Sequence, residues 1–154
     1  MSDAASNLLS VLTTDQKGAL AEAMILAEAL KNGVGVSRPT GDERYDLIFD
    51  LRPKLLRVQC KWATRSGSVV VVRCRTNRRG RDGFIHGRYR PGEIDAVAAY
   101  CLELDRCYLL PVALSVQRTS VHLRLEQCRN NQLAGVKWAP DFELGATLQQ
   151  LKGP

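Results

Sequence analysis

The hydrophobic pattern of this chain changes its period at Gly33, and this change constrains the fold more than any other feature. Before Gly33, apolar side chains recur at helical spacing, at Leu20, Ala23, Met24, Ala27 and Leu30. Thr13 and Gln16 have the spacing of a capping box, and a glycine at position 33 favours the left-handed turn that ends many helices. The pattern therefore predicts an amphipathic helix over residues 15–32.

After Gly33 the pattern becomes extended: residues 55–62 and 120–125 alternate polar and apolar side chains, and residues 68–75 are rich in β-branched residues and arginine. Turn-forming residues divide this part into predicted strands over 33–37, 45–50, 55–62 and 68–75, followed by a mobile basic loop over 76–83. Further along, we predict a second helix over 94–101, a strand over 107–112, an edge strand over 120–125 and a last helix over 144–151. This order predicts an α/β protein with a central mixed sheet flanked by helices, which starts antiparallel and returns through a helical crossover.

The size and composition of the chain predict one globular domain over residues 1–154, in which residues 1–12 form an arm or a short helix. The chain is 45% hydrophobic and 25% charged, which is ordinary for a protein with one buried core. The apolar runs are strand-sized and the first residues lack a secretion signal, so we expect a cytoplasmic protein without a membrane span. The five cysteines include no Cys-x-x-Cys pair, which favours reduced thiols over a zinc site.

Positive charge is concentrated in one block of the sequence. The formal net charge is +6, but residues 51–90 contain 12 basic residues against one acidic residue. Ten of the 12 are arginines, whose planar guanidinium group suits phosphate. The block favours a polyanion such as nucleic acid as the partner, against the alternatives of a solvated charged face or a face that binds an acidic protein.

Polar side chains suited to a hard metal ion lie near this block. Asp46 begins one predicted strand, and Gln59 and Lys61 lie two residues apart on the next strand, so they share a face. Glu22 and Glu28 both border the apolar stripe of the helix, and periodicity alone does not choose between them. The oxygens of such a group suit Mg²⁺, and the lysine would orient or deprotonate a water molecule. Each residue alone also fits a structural role, as a turn former or a solvated side chain.

Three segments together resemble the PD-(D/E)XK nuclease superfamily. They are Lys17-Gly18-x-x-x-Glu22 in the first helix, Tyr45-Asp46-Leu47 at a strand, and Val58-Gln59-Cys60-Lys61 in the following strand. The most similar branches are the group I intron homing endonucleases and the Holliday junction resolvases, and the similarity covers about residues 15–112. The tail segment Arg129-Asn130-Asn131-Gln132 also resembles the intron-endonuclease branch. The resemblance implies a restriction-endonuclease-like core with the element order α-β-β-β-α-β.

The resemblance also implies a role for each site residue. Asp46 and Gln59 would bind Mg²⁺, for which Mn²⁺ could substitute, Glu22 would support the metal site, and Lys61 would assist the attacking water. The implied activity is a metal-dependent DNA endonuclease, either site-specific like a homing enzyme or structure-specific. One site cuts one strand, so cleavage of both strands predicts a homodimer or a homotetramer.

Two positions depart from the superfamily pattern. Tyr45 stands where a proline is expected before the aspartate, and Gln59 stands where an acidic residue is expected. The homing branch is similar in using glutamine at that position, but an amide brings one metal-binding oxygen and no charge. The alternative is a nuclease-fold module, catalytically weakened, that binds DNA or RNA without cleaving it.

The basic block and the tail supply candidate nucleic-acid contacts. We expect the arginines on the strand after Lys61 and on the following loop to contact the phosphate backbone: Arg65, Arg73, Arg75, Arg78, Arg79 and Arg81. The amides of Asn130, Asn131 and Gln132 suit adenine edges, and they equally suit a turn with hydrogen bonds to the backbone.

Overall fold

The protein is represented by a computed structural model that describes residues 3–116 and 118–153, except the side chains of residues 77–80 and 84–86. Helices α1 to α4 span Asp3–Val11, Thr14–Lys31, Val112–Ser115 and Leu144–Lys152, and a 3-10 turn spans Ala139–Phe142. Strands β1 to β9 span Gly35–Ser37, Leu47–Asp50, Leu55–Ser66, Val69–Arg73, Thr76–Gly80, Gly83–Gly87, Ala96–Cys101, Arg106–Pro111 and Ser120–Arg124. Among the described residues, no helix is both long and apolar enough to cross a membrane.

Helix α2 begins and ends where the sequence predicts. The Thr13 side chain accepts a hydrogen bond from the Gln16 amide, and the Gln16 side chain accepts one from the Thr13 amide. Gly33 follows the helix with a positive φ of 72°. The buried stripe is rotated from the predicted one, because Ala21, Ile25 and Ala29 face the sheet while Leu30 is 54% exposed. Small side chains at this contact let the helix lie close to the strands.

The main sheet forks at strand β3. Val58 is paired with both Leu47 of β2 and Ala96 of β7, and Ala63 is paired with both Val72 of β4 and Cys101 of β7. Because a strand has only two edges, β7 occupies one edge of β3 while β2 and β4 share the other. Residues 59–62 of β3 therefore lie in a gap between β2 and β4 on that edge.

The two faces of this sheet pack against different partners. On one face, α2 and α4 cover a core that includes Leu47, Phe49 and Val58. On the other face, Tyr89, Ile94 and the 3-10 turn pack on a second core that includes Val70, Leu123 and Ala63. Strand β8 forms one border of the sheet and β9 forms another. The parallel pairing of β3 with β7 among antiparallel pairs confirms the predicted α/β fold with a mixed sheet. The predicted helical crossover is wrong, because the chain passes from β3 to β7 through β4, β5 and β6.

Two predicted elements are wrong. Residues 94–101 do not form a helix, because Ala96–Cys101 is strand β7, whose six residues are all buried between β3 and β8. A strand that is buried on both faces shows no polar and apolar alternation, and the high helix propensity of its alanines favours the prediction of a helix. Residues 76–83 are not a loop, since β5 and β6 pair as a separate two-stranded sheet with Gly80 opposite Gly83. The turn formers mark the tip of this hairpin.

Candidate active site

The gap in the sheet edge exposes a backbone donor that a neighbouring strand would otherwise pair. Asp46, just before β2, fills this position, because its Oδ2 accepts the amide of Cys60 at 2.8 Å. The same Oδ2 accepts Nε2 of Gln59 at 2.7 Å, while the Asp46 amide donates to the Val58 carbonyl at 2.9 Å. The predicted neighbourhood of Asp46 and Gln59 is present, and the fork of the sheet creates it.

Burial raises the pKa of the Asp46 carboxyl, and the negative charge of Glu22 raises it further. The hydrogen bond from Cys60 and the charges of Lys61 and Arg38 oppose this rise without cancelling it. A carboxylate that is poorly solvated in the folded protein favours the approach of a positive ligand. Asp46 therefore has the electrostatics of a cation-binding group.

Lys61 shares the face of β3 that carries Gln59. Its Nζ donates to the backbone carbonyl of Arg75 at 3.1 Å and lies 5.5 Å from the centre of the Tyr89 ring. Burial lowers the pKa of Lys61, and the charge of Arg44 lowers it further, while Asp46 opposes the shift. An ammonium group with a lowered pKa gives up its proton more readily, as a general base requires.

The structure distinguishes the two helix glutamates that periodicity left equivalent. Glu22 forms an ion pair with Arg38, and its charge acts on both Asp46 and Cys60. Glu28 instead lies 3.8 Å from Lys31, and its charge acts on Cys107. Glu22 is thus the glutamate that lies near Asp46, although its carboxylate is paired with Arg38.

A cavity of about 390 Å³ brings Asp46, Gln59 and Lys61 together with residues that the sequence did not single out. The additional lining residues are Asp42, Glu43, Arg44, Thr76 and Tyr89. Arg44 precedes Asp46 by two positions, so strand periodicity could have placed it on the same face. Thr76 and Tyr89 come from the hairpin and the segment after it, and no local pattern connects them to Asp46.

Arg44 is held at the cavity wall by Glu93. Its Nη2 lies 3.4 Å from Oε2 of Glu93, whose pKa is lowered by a hydrogen bond from the Arg90 amide and by the charge of Arg44. The Nε of Arg44 is buried and finds no hydrogen-bond partner among the described residues. The side chain as a whole is 36% exposed and lines the cavity, so its accessible part suits an anion that enters there.

The donor atoms fit a hard divalent cation with few protein ligands. Within the described part of the chain, no three histidine, cysteine, aspartate or glutamate side chains form a metal-binding group. Asp46 and Glu22 contribute carboxylates, and Gln59, whose Nε2 is bound to Asp46, keeps Oε1 as an acceptor. Mg²⁺ is commonly bound by one or two carboxylates, with waters and substrate phosphates completing its shell. Three acidic residues, Asp42, Glu43 and Asp46, line the cavity, whereas Glu22 is not among its lining residues and acts on Asp46 through its charge.

The predicted nucleic-acid contacts are distributed over several surfaces. Four of the predicted arginines are exposed. Arg65 lies at the end of β3, Arg73 at the end of β4, Arg75 just after β4, and Arg81 at the tip of the β5–β6 hairpin. The side chains of Arg78 and Arg79 lie outside the described residues.

In the tail, Oδ1 of Asn130 accepts the Gln132 amide at 3.2 Å, and Nε2 of Gln132 donates to the Ala134 carbonyl at 3.3 Å. Asn131 is exposed and has a positive φ of 53°. These bonds match the turn interpretation of the tail amides. Base reading by Asn130, Asn131 and Gln132 stays a prediction.

Comparisons with known proteins agree with this geometry. The sequence model of a family described as PD-(D/E)XK endonucleases matches residues 12–145. Among solved structures, the chain is similar to a bacterial homing endonuclease, I-Ssp6803I, with a TM-score of 0.71 and 30% identity. That similarity covers 92% of this chain and 96% of the other chain. No curated protein matches the sequence. The resemblance inferred from the three sequence segments is confirmed.

Proposed function

This chain belongs to the PD-(D/E)XK endonuclease family and is a nuclease, and we propose that it hydrolyses phosphodiester bonds of DNA with Mg²⁺ as its cofactor. Mn²⁺ would substitute, since both are hard cations that prefer oxygen ligands. The observation that carries the proposal is the convergence of Asp46, Gln59 and Lys61 on one cavity at the fork of the sheet. We further propose that cleavage is restricted to a specific site or structure in the DNA, as in homing endonucleases.

Asp46, Gln59 and Glu22 would hold the metal ion in the proposed site. A divalent ion bound there supplies a Lewis acid that stabilises negative charge on the phosphate. Glu22 takes part after Arg38 leaves its carboxylate, and Arg38 is then available to a neighbouring phosphate. Because Gln59 adds no charge, the phosphate itself must complete the neutralisation of the cation.

Lys61 would accept a proton from the attacking water, and Arg44 would bind the phosphate. Neutral Lys61 accepts the proton of the attacking water as the new phosphorus–oxygen bond forms, and the leaving oxygen departs from the opposite side. Arg44, fixed by Glu93, donates to a phosphate oxygen through the accessible part of its guanidinium. Thr76 and Tyr89 form the wall of the cavity behind these groups.

The basic residues near the site would follow the DNA backbone away from the cleaved bond. Arg73, Arg75 and Arg81 are exposed on β4, on the segment after it and on the β5–β6 hairpin, which together lead away from the cavity. A two-stranded ribbon has dimensions that fit the major groove. We include Arg78 and Arg79 in this contact from their sequence positions on the hairpin.

We propose that two or four chains act together, because one cavity can attack only one strand at a time. A homodimer or a homotetramer presents two sites to the duplex through a twofold axis. We also propose a cytoplasmic location, with which the five free cysteines agree.

The test is cleavage of supercoiled, linear and four-way-junction DNA with Mg²⁺, with Mn²⁺ and with EDTA. Wild-type protein should cut only with a metal ion, and Lys61→Ala should lose activity by about 10²–10⁴-fold. The matched control is Lys54→Ala, an exposed lysine of the β2–β3 turn outside the cavity. If the protein bound DNA without a metal ion and never cleaved it, the proposal of a nuclease would be wrong. The alternative of a DNA-binding module, which the uncharged Gln59 suggests, would then hold.

A further inference from the structure

A second concave surface lies at the turn between β3 and β4 and along β9. It consists of two cavities of about 910 Å³ and 430 Å³ that share Arg124, Cys128 and Gln132, and we call it the β9 trough. Its walls come from the end of β3, from β9 and from the tail after β9. Five basic side chains line the trough, against the single acidic side chain of Glu126: Arg65, Arg118, Arg124, Arg129 and Lys137.

Within the part of the chain that the structure describes, the positive charges of the β9 trough carry no ion pairs, as is also true of exposed arginines such as Arg73 and Arg75. Arg38, Arg44, Arg57 and Arg106 each form an ion pair with a carboxylate. Among the described residues, none of the five basic side chains of the trough does so. Unpaired positive charge in a concave surface attracts an anion, and several such charges in a row attract a polyanion.

Arg124 gives the trough a prepared donor. Its Nε is buried and has no hydrogen-bond partner within the described residues, a state that it shares with Arg44 in the active-site cavity. Its backbone is fixed on both sides, because its amide donates to the Lys137 carbonyl at 2.7 Å and the next amide, of Leu125, donates to Ser68 at 2.8 Å. The residue is half-buried and lines both cavities, so the accessible part of its side chain can donate to a ligand such as a phosphate oxygen.

Strand β3 relates the trough to the active site. Arg65 lies four residues after Lys61 on this continuous strand, which corresponds to roughly 13 Å at about 3.3 Å per residue. Duplex DNA rises about 3.4 Å per nucleotide, so this distance corresponds to about four nucleotides. A duplex whose phosphate lies at Lys61 can therefore pass its flanking backbone along the trough.

From these observations, we propose that the β9 trough binds the phosphate backbone of DNA about four nucleotides outside the cleaved bond. This inference rests on the proposed function, because it takes the same DNA as the substrate. The trough adds affinity that does not depend on sequence, and it does not take part in the chemical step. Arg124 contacts the phosphate directly, while Arg118, Arg129 and Lys137 add charge along the backbone.

The test measures binding of full-length protein to fluorescent random-sequence duplexes in EDTA over a range of salt concentrations. On a duplex of about 30 base pairs, Arg118→Gln with Arg129→Gln should reduce the slope of log K against log salt by about two, and Arg124→Gln by about one. Arg118 and Arg129 are exposed, so their replacement tests the inference even if Arg124→Gln impairs folding.

The matched control is Arg106→Gln, an exposed arginine of β8 on the opposite border of the sheet, which should leave the slope unchanged. Wild-type slopes for the trough variants would overturn the inference. If wild type but not the variants bound polyglutamate, while all of them bound DNA equally, the trough would be a site for an acidic protein. This result would also overturn the inference.

Cleavage separates this inference from the proposed function. At saturating protein with Mg²⁺, Arg118→Gln with Arg129→Gln should cut plasmid DNA at the wild-type rate and need more protein to reach saturation. A lower rate at saturation would place these residues in the chemistry and overturn the inference. If wild type does not cleave, the proposed function fails while the binding measurements still decide whether the trough holds DNA.

Discussion

At the scale of single residues, two half-buried groups of the site have shifted pKa values in opposite directions. Burial raises the pKa of Asp46 and lowers the pKa of Lys61, so each charged form is less favourable than it is in water. The first shift favours capture of a cation, and the second favours acceptance of a proton. Opposite shifts in one cavity are the pattern expected of an active site.

Arg44 should control the pH dependence of cleavage through Lys61. Its positive charge lowers the pKa of Lys61, so Arg44→Gln should raise that pKa and move the rise of the rate with pH to higher pH. Loss of its donor to the phosphate should also lower the maximal rate by about 10²-fold. Rates measured across the alkaline range test both effects. The control Arg44→Lys keeps the charge and should keep the position of the rise; an unshifted profile for Arg44→Gln would contradict the coupling.

Asp46→Asn should abolish cleavage and stabilise the metal-free protein. The pKa of Asp46 is raised in the folded state, so folding loses stability as pH rises through that pKa, and an uncharged amide removes this loss. Thermal unfolding in EDTA should show a higher Tm for the variant at neutral pH, and the difference should shrink in acid, where Asp46 itself is protonated.

Asp50→Asn is the control for this prediction, because Asp50 lies on the same strand and binds the Arg52 amide at 2.9 Å outside the cavity. It should keep cleavage. A Tm for Asp46→Asn below that of wild type would contradict the prediction, because it would show that the carboxylate stabilises the folded protein.

At the scale of elements, the fork of β3 places the site, and the β5–β6 hairpin closes one side of it. Thr76 begins the hairpin, is 7% exposed and lines the cavity, and Gly87 ends the hairpin opposite it. A Cβ at position 87 would lie 2.8 Å from Oγ1 of Thr76, which is too close for two non-bonded atoms. The base of the hairpin is therefore packed without room for another methyl group.

Gly87→Ala should displace Thr76 and reduce both stability and cleavage. Overpacking of this kind costs about 1–3 kcal/mol of unfolding free energy. Thr76→Ala removes the clashing oxygen, so the double variant should recover part of the stability lost by Gly87→Ala. Urea unfolding of the single and double variants measures this coupling. Strictly additive losses would contradict the contact.

The same elements show what the sequence can predict. Alternation placed β3 and β9 because each has one buried face, β-branched residues placed β4, and Thr13 with Gly33 placed the ends of α2. Strand β7 was missed because burial on both faces erases alternation. Asp46, Gln59 and Lys61 could be paired from neighbouring strands, whereas Tyr89 and Thr76 reach the cavity through tertiary packing that no local pattern records.

At the scale of the whole molecule, the chain offers one cavity with this chemistry among its described residues, whereas a DNA duplex has two strands to cut. A monomer would nick one strand and then dissociate or turn around, so linear product would appear only after nicked product. An assembly with two sites would cut both strands in one encounter. The order of products from supercoiled plasmid therefore reports the number of cooperating chains.

Mixed assemblies make this prediction sharper. Wild type mixed and refolded with excess Lys61→Ala should form assemblies with one active cavity, which nick plasmid DNA while the yield of linear product falls as the square of the wild-type fraction. Agarose gels resolve the two products, and light scattering gives the mass of the assembly. A mixture with Arg106→Gln, which lies away from the cavity, should cut both strands at the wild-type yield. A linear yield proportional to the wild-type fraction would show that each chain acts alone, and the twofold assembly would then be wrong.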